Sequence, residues 1–231
     1  MDKVPGLVVH EDDENTADTL INRIKKYLFV KDEYKPDDEQ SFTPALCNRI
    51  DRNTGGIVIA AKNAEALRIL NQKIKGRELQ KLYLCIVLGQ LPKKEDTLTA
   101  YLEKNSETNT VIVSGAKAPR NLTIKTKYRV IDSFGDLSLV EADLLTGRTH
   151  QIRAHFAYIG HPLLGDGKYG RNAENKRYGL KYQALYSYVL KFKFTSHSGS
   201  LSYLNGKTFS VPNVWLVDKY NSYKKEGINK K

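Results

Sequence analysis

The sequence predicts an α+β fold, a mixed and mainly antiparallel sheet flanked by helices. Three observations lead there. The run from Leu79 to Gly89 is apolar on both faces except for Lys81 and Tyr83, as befits a strand inside a sheet. Thr123–Ile131 and Leu137–Leu145 flank the turn residues 133–136, the pattern of an antiparallel hairpin. Two segments, one around Leu20–Leu28 and one around Leu67–Ile74, carry apolar residues at helical spacing and supply faces to cover a sheet.

In chain order, Gly6-Leu-Val-Val-His10 reads as a short strand. Asn15 or Thr16 caps a helix with an apolar face of Leu20, Ile21, Ile24 and Leu28. Residues 31–44 are charged and contain Pro36 and Pro44, which makes them a loop. Gly56–Ala61 is a buried strand, and Asn63 caps a helix with Leu67, Leu70 and Ile74 on one face, ending near Gly76. Residues 92–121 are polar, with weak strand signals at Thr97–Leu102 and Thr110–Val113. After the hairpin, Thr149 caps a helix with Ile152, Phe156 and Ile159 inward and Gly160 as its stop. Strands follow at Gln183–Phe194 and Leu201–Leu204, then a short helix after Pro212. No internal repeat or linker interrupts this series, so the expectation is one catalytic domain over residues 1–223 and a frayed basic tail over 224–231.

The 231 residues carry 37 Lys and Arg against 26 Asp and Glu, a net charge of +11. Such a surplus points to a polyanionic partner, or to a margin of solubility. Cys47 and Cys85 lie in apolar stretches without C-x-x-C spacing, which excludes a disulfide framework and a zinc ribbon. The longest apolar run, Ile57–Ala61, is far too short to span a membrane, and no signal peptide opens the chain. These features predict a cytoplasmic protein that makes no use of a membrane.

Three segments carry candidate chemistry. In Asn48-Arg-Ile-Asp-Arg-Asn-Thr-Gly-Gly56 a charged turn runs into an apolar strand, so Asp51 sits on a rigid element at the strand's mouth. Taken alone, Asp51 also reads as a turn carboxylate bonded to its own backbone. Tyr83, in Lys81-Leu-Tyr83, taken alone reads as a core tyrosine with its hydroxyl satisfied. In Gly147-Arg-Thr-His-Gln-Ile-Arg153 a strand gives way to a helix N-terminus, which favours anions, and Arg148 and Arg153 add charge there. His150 and His155 are five apart and fall on different helix faces, a poor spacing for a shared zinc. No metal is expected.

The combination Arg49-Ile-Asp51-x-x-Thr54-x-Gly56, Lys81-x-Tyr83, and Gly147-Arg-Thr-His-Gln-Ile-Arg153 with Gly160-His-Pro162 and Gly165-Asp166 resembles the RluA-type (ribosomal large-subunit) pseudouridine synthases. Order and spacing agree from about Lys3 to Trp215. Two departures are mild: Gly55 stands where the family has Ser, and the opening reads Lys3-Val-Pro5-Gly6 in place of K-P-x-G. A small N-terminal RNA-binding domain found in many relatives is expected to be absent.

The resemblance implies a pseudouridine synthase-like catalytic domain. It makes Asp51 the catalytic aspartate, Tyr83 the tyrosine lying against the target base, and Arg153 the partner of Asp51. Arg49 would stand at the flipped-out nucleotide, and Arg148, His150 and Ile152 would contact RNA. The reaction breaks a carbon–nitrogen glycosidic bond, turns the uracil, and rejoins it through carbon to the same ribose. It involves no redox step, so no cofactor is expected, and neither G-x-G-x-x-G nor a P-loop is present. The expected partner is RNA, foremost large-subunit ribosomal RNA, with the chain acting as a monomer. The same chemistry on transfer RNA and a catalytically silent RNA-binding module are the alternatives.

Overall fold

The computed structural model describes residues 1–10, 16–38, 41–105 and 108–227. Its elements run β1 (Asp2–Lys3), α1 (Leu20–Val30), β2 (Ala45–Leu46), β3 (Gly55–Ile57), β4 (Ala60–Ala61), α2 (Ala64–Lys75), β5 (Leu79–Leu88), β6 (Glu95–Asn105) and β7 (Thr110–Ser114). They continue with β8 (Leu122–Phe134), β9 (Leu137–Leu144), α3 (Gln151–Tyr158), α4 (Asn172–Tyr178), β10 (Leu185–Phe192), β11 (Thr208–Ser210) and α5 (Trp215–Glu226). The fold is α+β, with mainly antiparallel strand pairing and flanking helices. Two compact units make up the chain: Met1–Gln80 with Val189–Val211, and Lys81–Tyr188 with Pro212–Lys231.

In the first unit, α1 buries Leu20, Ile21, Ile24 and Leu28, the face its spacing predicts. Its cap is Thr19, whose hydroxyl accepts from the amide of Asn22. Of the two expected caps, Asn15 lies outside the described residues and Thr16 lies before the helix. The expected strand at 6–10 does not form. The carbonyls of Val8 and Val9 instead accept from the amides of Leu20 and Ile21, which serves donors that a helix start leaves unpaired. Gly6, at φ +91°, turns the chain away from β1.

The strand expected at 56–61 is broken in two. β3 pairs antiparallel with β1, placing Lys3 opposite Gly56, while β4 pairs with β2. The break falls at Val58 and Ile59, where the Val58 amide donates to the Met1 carbonyl and the Ile59 amide to the side chain of Asn48, each at 2.8 Å. In α2, Asn63 caps as predicted, accepting from the amide of Ala66 at 2.8 Å. Ala66, Ile69 and Leu70 enter a core with Leu79, Leu190, Phe192, Phe194 and Leu201, and Leu67 and Ile74 pack at its margin.

Leu201–Leu204 is not a strand but part of a 3-10 helix, Gly199–Leu204. Only Leu201 is buried there, so one apolar anchor on a tight turn satisfies the segment. Behind it, the enclosed Lys73 ammonium donates to the Glu78 carboxylate at 3.0 Å and to the hydroxyl and carbonyl of Ser196. Hydrogen bonds from the Ser196 hydroxyl and from the amides of Thr195 and Ser196, with Lys73 beside it, hold Glu78 down to about pKa 2 against the cost of burial.

The second unit is built on an antiparallel meander in the order β5-β9-β8-β6-β7. The predicted hairpin is its β8–β9 pair. The weak strand signals of 92–121 become β6, eleven residues long, and β7. On β8 the alternation is regular: Ile124, Thr126 and Tyr128 are buried, and Lys125, Lys127 and Arg129 are exposed. Beneath it, Ala100, Leu102, Val111, Ile124 and Ala154 form a core against which Tyr169 packs. The helix after Pro212 is longer than expected, because Leu216, Tyr220 and Tyr223 are all buried along it. Lys224 and Lys225, expected to fray, lie within α5, and Lys224 reaches Asp132 at 2.7 Å. Residues 228–231 of the expected tail lie outside the described residues. Among the described residues no helix is long and apolar enough to cross a membrane.

Candidate active site

Asp51 opens a tight turn, its carbonyl accepting from the amide of Thr54 at 3.0 Å. The residue is half-buried, Ile50 before it is buried, and Thr54, Gly55 and Gly56 after it are buried as the chain enters β3. Arg49 and Arg52 are exposed on either side. The turn is fixed from below by Lys3, which is 1% exposed. Its ammonium donates to the carbonyls of Arg52 at 2.8 Å, Leu7 at 2.8 Å and Val4 at 3.0 Å. The amide of Gly6 also donates to the Arg52 carbonyl, at 2.9 Å. Burial pushes the Lys3 amine down to about 8, while the nearby Asp51 charge acts the other way. A buried cation thus grips the backbone directly after the candidate carboxylate.

Tyr83 lies on β5 opposite Ala142 of β9 and is 5% exposed.

In the second unit the segment after β9 is held by Gln151, 2% exposed. Its side-chain oxygen accepts from the Thr146 hydroxyl at 2.8 Å and the Arg148 amide at 3.2 Å, and its nitrogen donates to the carbonyl of Lys125 and the hydroxyl of Thr126. This brace displaces the predicted start of the helix. Thr149 is not the cap: α3 begins at Gln151, and the cap position is His150, in the left-handed conformation at φ 51°. Histidine tolerates that region better than most side chains. Arg148 is left exposed on the braced turn, while Ile152 is enclosed at 3% exposure.

Arg153, 5% exposed, makes a two-pronged ion pair with Asp166: Nε to Oδ2 at 2.7 Å and Nη2 to Oδ1 at 2.9 Å. Asp166 is fully buried. The Arg153 guanidinium and the amides of Lys168 and Tyr169 hold its carboxyl below the usual carboxylate range in spite of that burial. The loop needs its glycines. A Cβ on Gly165 would stand 2.2 Å from the Tyr182 carbonyl oxygen, and one on Gly170 would stand 2.3 Å from that of Asp166. The guanidinium lies over the Tyr169 ring, 5.2 Å from its centre. The Tyr169 hydroxyl accepts from the amide of Val111 at 2.9 Å and lies 2.8 Å from Nδ1 of His150.

His155 serves the core. Its Nδ1 is 3.0 Å from the Thr126 hydroxyl, and burial pushes its pKa down to about 4. Among the described residues no group of three or more His, Cys, Asp or Glu is placed to hold a metal ion. Charge is uneven along the sequence. The second unit carries 21 Lys and Arg against 12 Asp and Glu, the first 16 against 14.

The sequence profile of the RNA pseudouridylate synthase family matches residues 1–158, a stretch that contains Asp51, Tyr83 and Arg153. The chain belongs to that family. Among relatives in the RNA pseudouridylate synthase family, a ribosomal large subunit pseudouridine synthase D of Nitrosomonas europaea is 33% identical over 208 residues, covering 87% of this chain and 56% of the relative. An uncharacterized RNA pseudouridine synthase of Mycoplasma genitalium is 36% identical over 198 residues, covering 83% of this chain and 59% of the relative. The chain therefore spans little more than half the length of these relatives. The human RNA pseudouridylate synthase domain containing 4 shares the fold, with a TM-score of 0.71 at 18% identity over 96% of this chain and 88% of that one.

Sequence reasoning gave Arg153 a role but gave none to three residues that hold its neighbourhood: Asp166 and Gln151, present in the motif, and Tyr169. Asp166 had a signal, being an acidic residue with a glycine on each side. Lys3 had only its place in the Lys3-Val-Pro5-Gly6 opening, since a lysine near a chain start ordinarily reads as solvated.

Proposed function

We propose that the protein isomerises uridine to pseudouridine in RNA, with structured large-subunit ribosomal RNA in the cytoplasm as its substrate and the single chain as the active species. Asp51 is the essential carboxylate of this reading, Arg153 its catalytic arginine, and Tyr83 the aromatic that receives the base. Arg49, Arg148, His150 and Ile152 contribute to RNA contact. The observation that carries the reading is the family match across residues 1–158, with all three of Asp51, Tyr83 and Arg153 intact inside it.

The chemistry suits these groups. The target uridine must leave its stack, at a cost of roughly a few kcal/mol, before a side chain reaches its glycosidic bond. An aromatic surface and cationic edges offset that cost. An aspartate acts at the ribose or the base only when ionised, and a guanidinium, always protonated, favours that form. The net charge of +11, concentrated in the second unit, suits a phosphate backbone.

The test is product analysis. Purified protein is incubated with transcribed large-subunit ribosomal RNA and, separately, with transfer RNA, and pseudouridines are mapped by carbodiimide modification and primer extension. Pseudouridine in the ribosomal RNA, lost in Asp51→Asn, is the expected result. Product in transfer RNA alone moves the substrate, and RNA bound but unchanged replaces the enzyme with a binding module.

A further inference from the structure

Tyr169 stands where three parts of the second unit meet. It follows Asp166 in the Gly165–Gly170 loop and donates its own amide to the Asp166 carboxylate at 3.1 Å. Its ring underlies the Arg153 guanidinium of α3, a stacking arrangement that orients the planar cation as well as attracting it. Its hydroxyl takes the amide proton of Val111 on β7 and faces Nδ1 of His150, whose ring meets the tyrosine edge-on at 70° with centres 5.7 Å apart. With the Val111 amide donating to it, the phenol oxygen gives its proton to Nδ1 or takes one from it according to the His150 tautomer, so the contact ties that tautomer to the tyrosine.

We propose that Tyr169 is a positioning residue for the reaction, its ring seating the Arg153 guanidinium and its hydroxyl fixing the orientation and tautomer of His150. The inference rests on the pseudouridine synthase reading and on His150 as an RNA contact. Asp166 and Tyr169 act on Arg153 from different directions. The carboxylate occupies the Nε–Nη2 edge, and the ring occupies a face. Together they confine the guanidinium to one plane and one rotation within it, so its Nη1 edge has a set direction. His150 is confined in the same way. Its backbone is in the left-handed region, its ring is pinned at Nδ1, and the Gln151 brace fixes the turn just before it. The tyrosine links both to β7.

Two substitutions separate the two contacts. Tyr169→Phe keeps the ring and removes the hydroxyl, and Tyr169→Leu removes both. Steady-state kinetics on a structured RNA give kcat and KM, and 15N imidazole spectra report the His150 tautomer. Tyr169→Phe is expected to raise KM severalfold with kcat nearly unchanged, and to move the His150 Nδ1 and Nε2 resonances toward a mixture of tautomers. Tyr169→Leu is expected to lower kcat by a further factor of at least about ten, since small displacements of a catalytic group are costly. In a double-mutant cycle, Tyr169→Phe should add little to the KM of His150→Ala, because the hydroxyl acts on KM through His150.

General loosening of the fold would lower the active fraction, and with it kcat, without moving KM or the His150 tautomer. Should Tyr169→Leu fail to fold, the phenylalanine variant and the cycle decide. Product from the unsubstituted protein, together with a phenylalanine variant of unchanged KM and unchanged imidazole spectrum, overturns this role alone. No pseudouridine from the unsubstituted protein overturns the functional reading and this role with it.

Discussion

Replacing Lys3 by Met tests the buried cation beneath the Asp51 turn. In the folded protein the Lys3 amine is pushed down to about 8, against 10.5 for an ordinary lysine. Below pH 8 the amine is protonated in both folded and unfolded chains, and its burial costs the full difference. Two and a half units at 1.36 kcal/mol each, discounted for residual solvation, make about 2–3 kcal/mol. Between pH 8 and 10.5 the unfolded chain binds more protons than the folded one, so this penalty is relieved as pH rises. Methionine has no such pH term. It also leaves the Val4 and Leu7 carbonyls without this donor, at roughly 1 kcal/mol each, while Arg52 keeps the Gly6 amide. Near pH 7 the two effects nearly offset, and the variant should lie within about 1 kcal/mol of the parent. By pH 10 the parent should have gained about 2–3 kcal/mol on it. Urea titrations at pH 7 and pH 10 measure this: at an m-value of about 2 kcal/mol/M the gap in midpoints should widen by about 1 M. Tyrosines and cysteines that titrate in this range are common to both proteins and cancel in the difference. Parallel stability curves for the two proteins would refute the buried-cation account.

Four further outcomes are expected. Asp51→Asn should abolish pseudouridine formation while RNA binding in a filter assay stays within about threefold, because phosphate contacts dominate affinity. Activity on a prefolded RNA should survive exhaustive chelation; loss on EDTA treatment with recovery on zinc would contradict the mechanism. RNA affinity should fall steeply between 50 and 200 mM salt, by roughly a factor of ten or more, and single-stranded or loop targets should bind best. Acid unfolding should show the Glu78 carboxylate. Held down to about 2, it stabilises the fold above its unfolded value of 4.5, and that contribution is lost as pH falls from 4.5 towards 2. In Glu78→Gln this segment of the acid-stability curve, followed by circular dichroism, should be flat relative to the parent.

The fold was legible where one physical rule governed a segment. Leu20, Ile21, Ile24 and Leu28 lie on one helical face and are buried on it, and Asn63 starts α2 where its side chain can take an amide. The β8–β9 hairpin follows from alternation around a polar turn. Misreadings arose where a long-range partner decided the outcome. The strand propensity of residues 6–10 yielded to the open amides of Leu20 and Ile21 at the start of α1, far along the chain from Val8 and Val9. Gly56–Ala61 is apolar enough for one strand, but β1 and β2 each claim a different half. Leu201–Leu204 offered a single residue to the core, which a tight turn meets as well as a strand does.

The candidate site was legible in its residue types but not in how they are held. Asp51 and Arg153 follow from motif spacing, whereas Lys3, Asp166 and Tyr169 act through backbone carbonyls and amides or through side chains on other elements, which spacing does not encode. The Thr149 cap failed for a related reason. A threonine cap accepts from an amide two or three residues on, but here the Gln151 amide donates to the Arg148 carbonyl at 3.2 Å while the Gln151 side chain holds the Arg148 amide. The cap moved by one residue, from Thr149 to His150. There the unusual backbone has a purpose: at φ 51° its ring can meet Tyr169 while Arg153, one turn later, lies over the same ring.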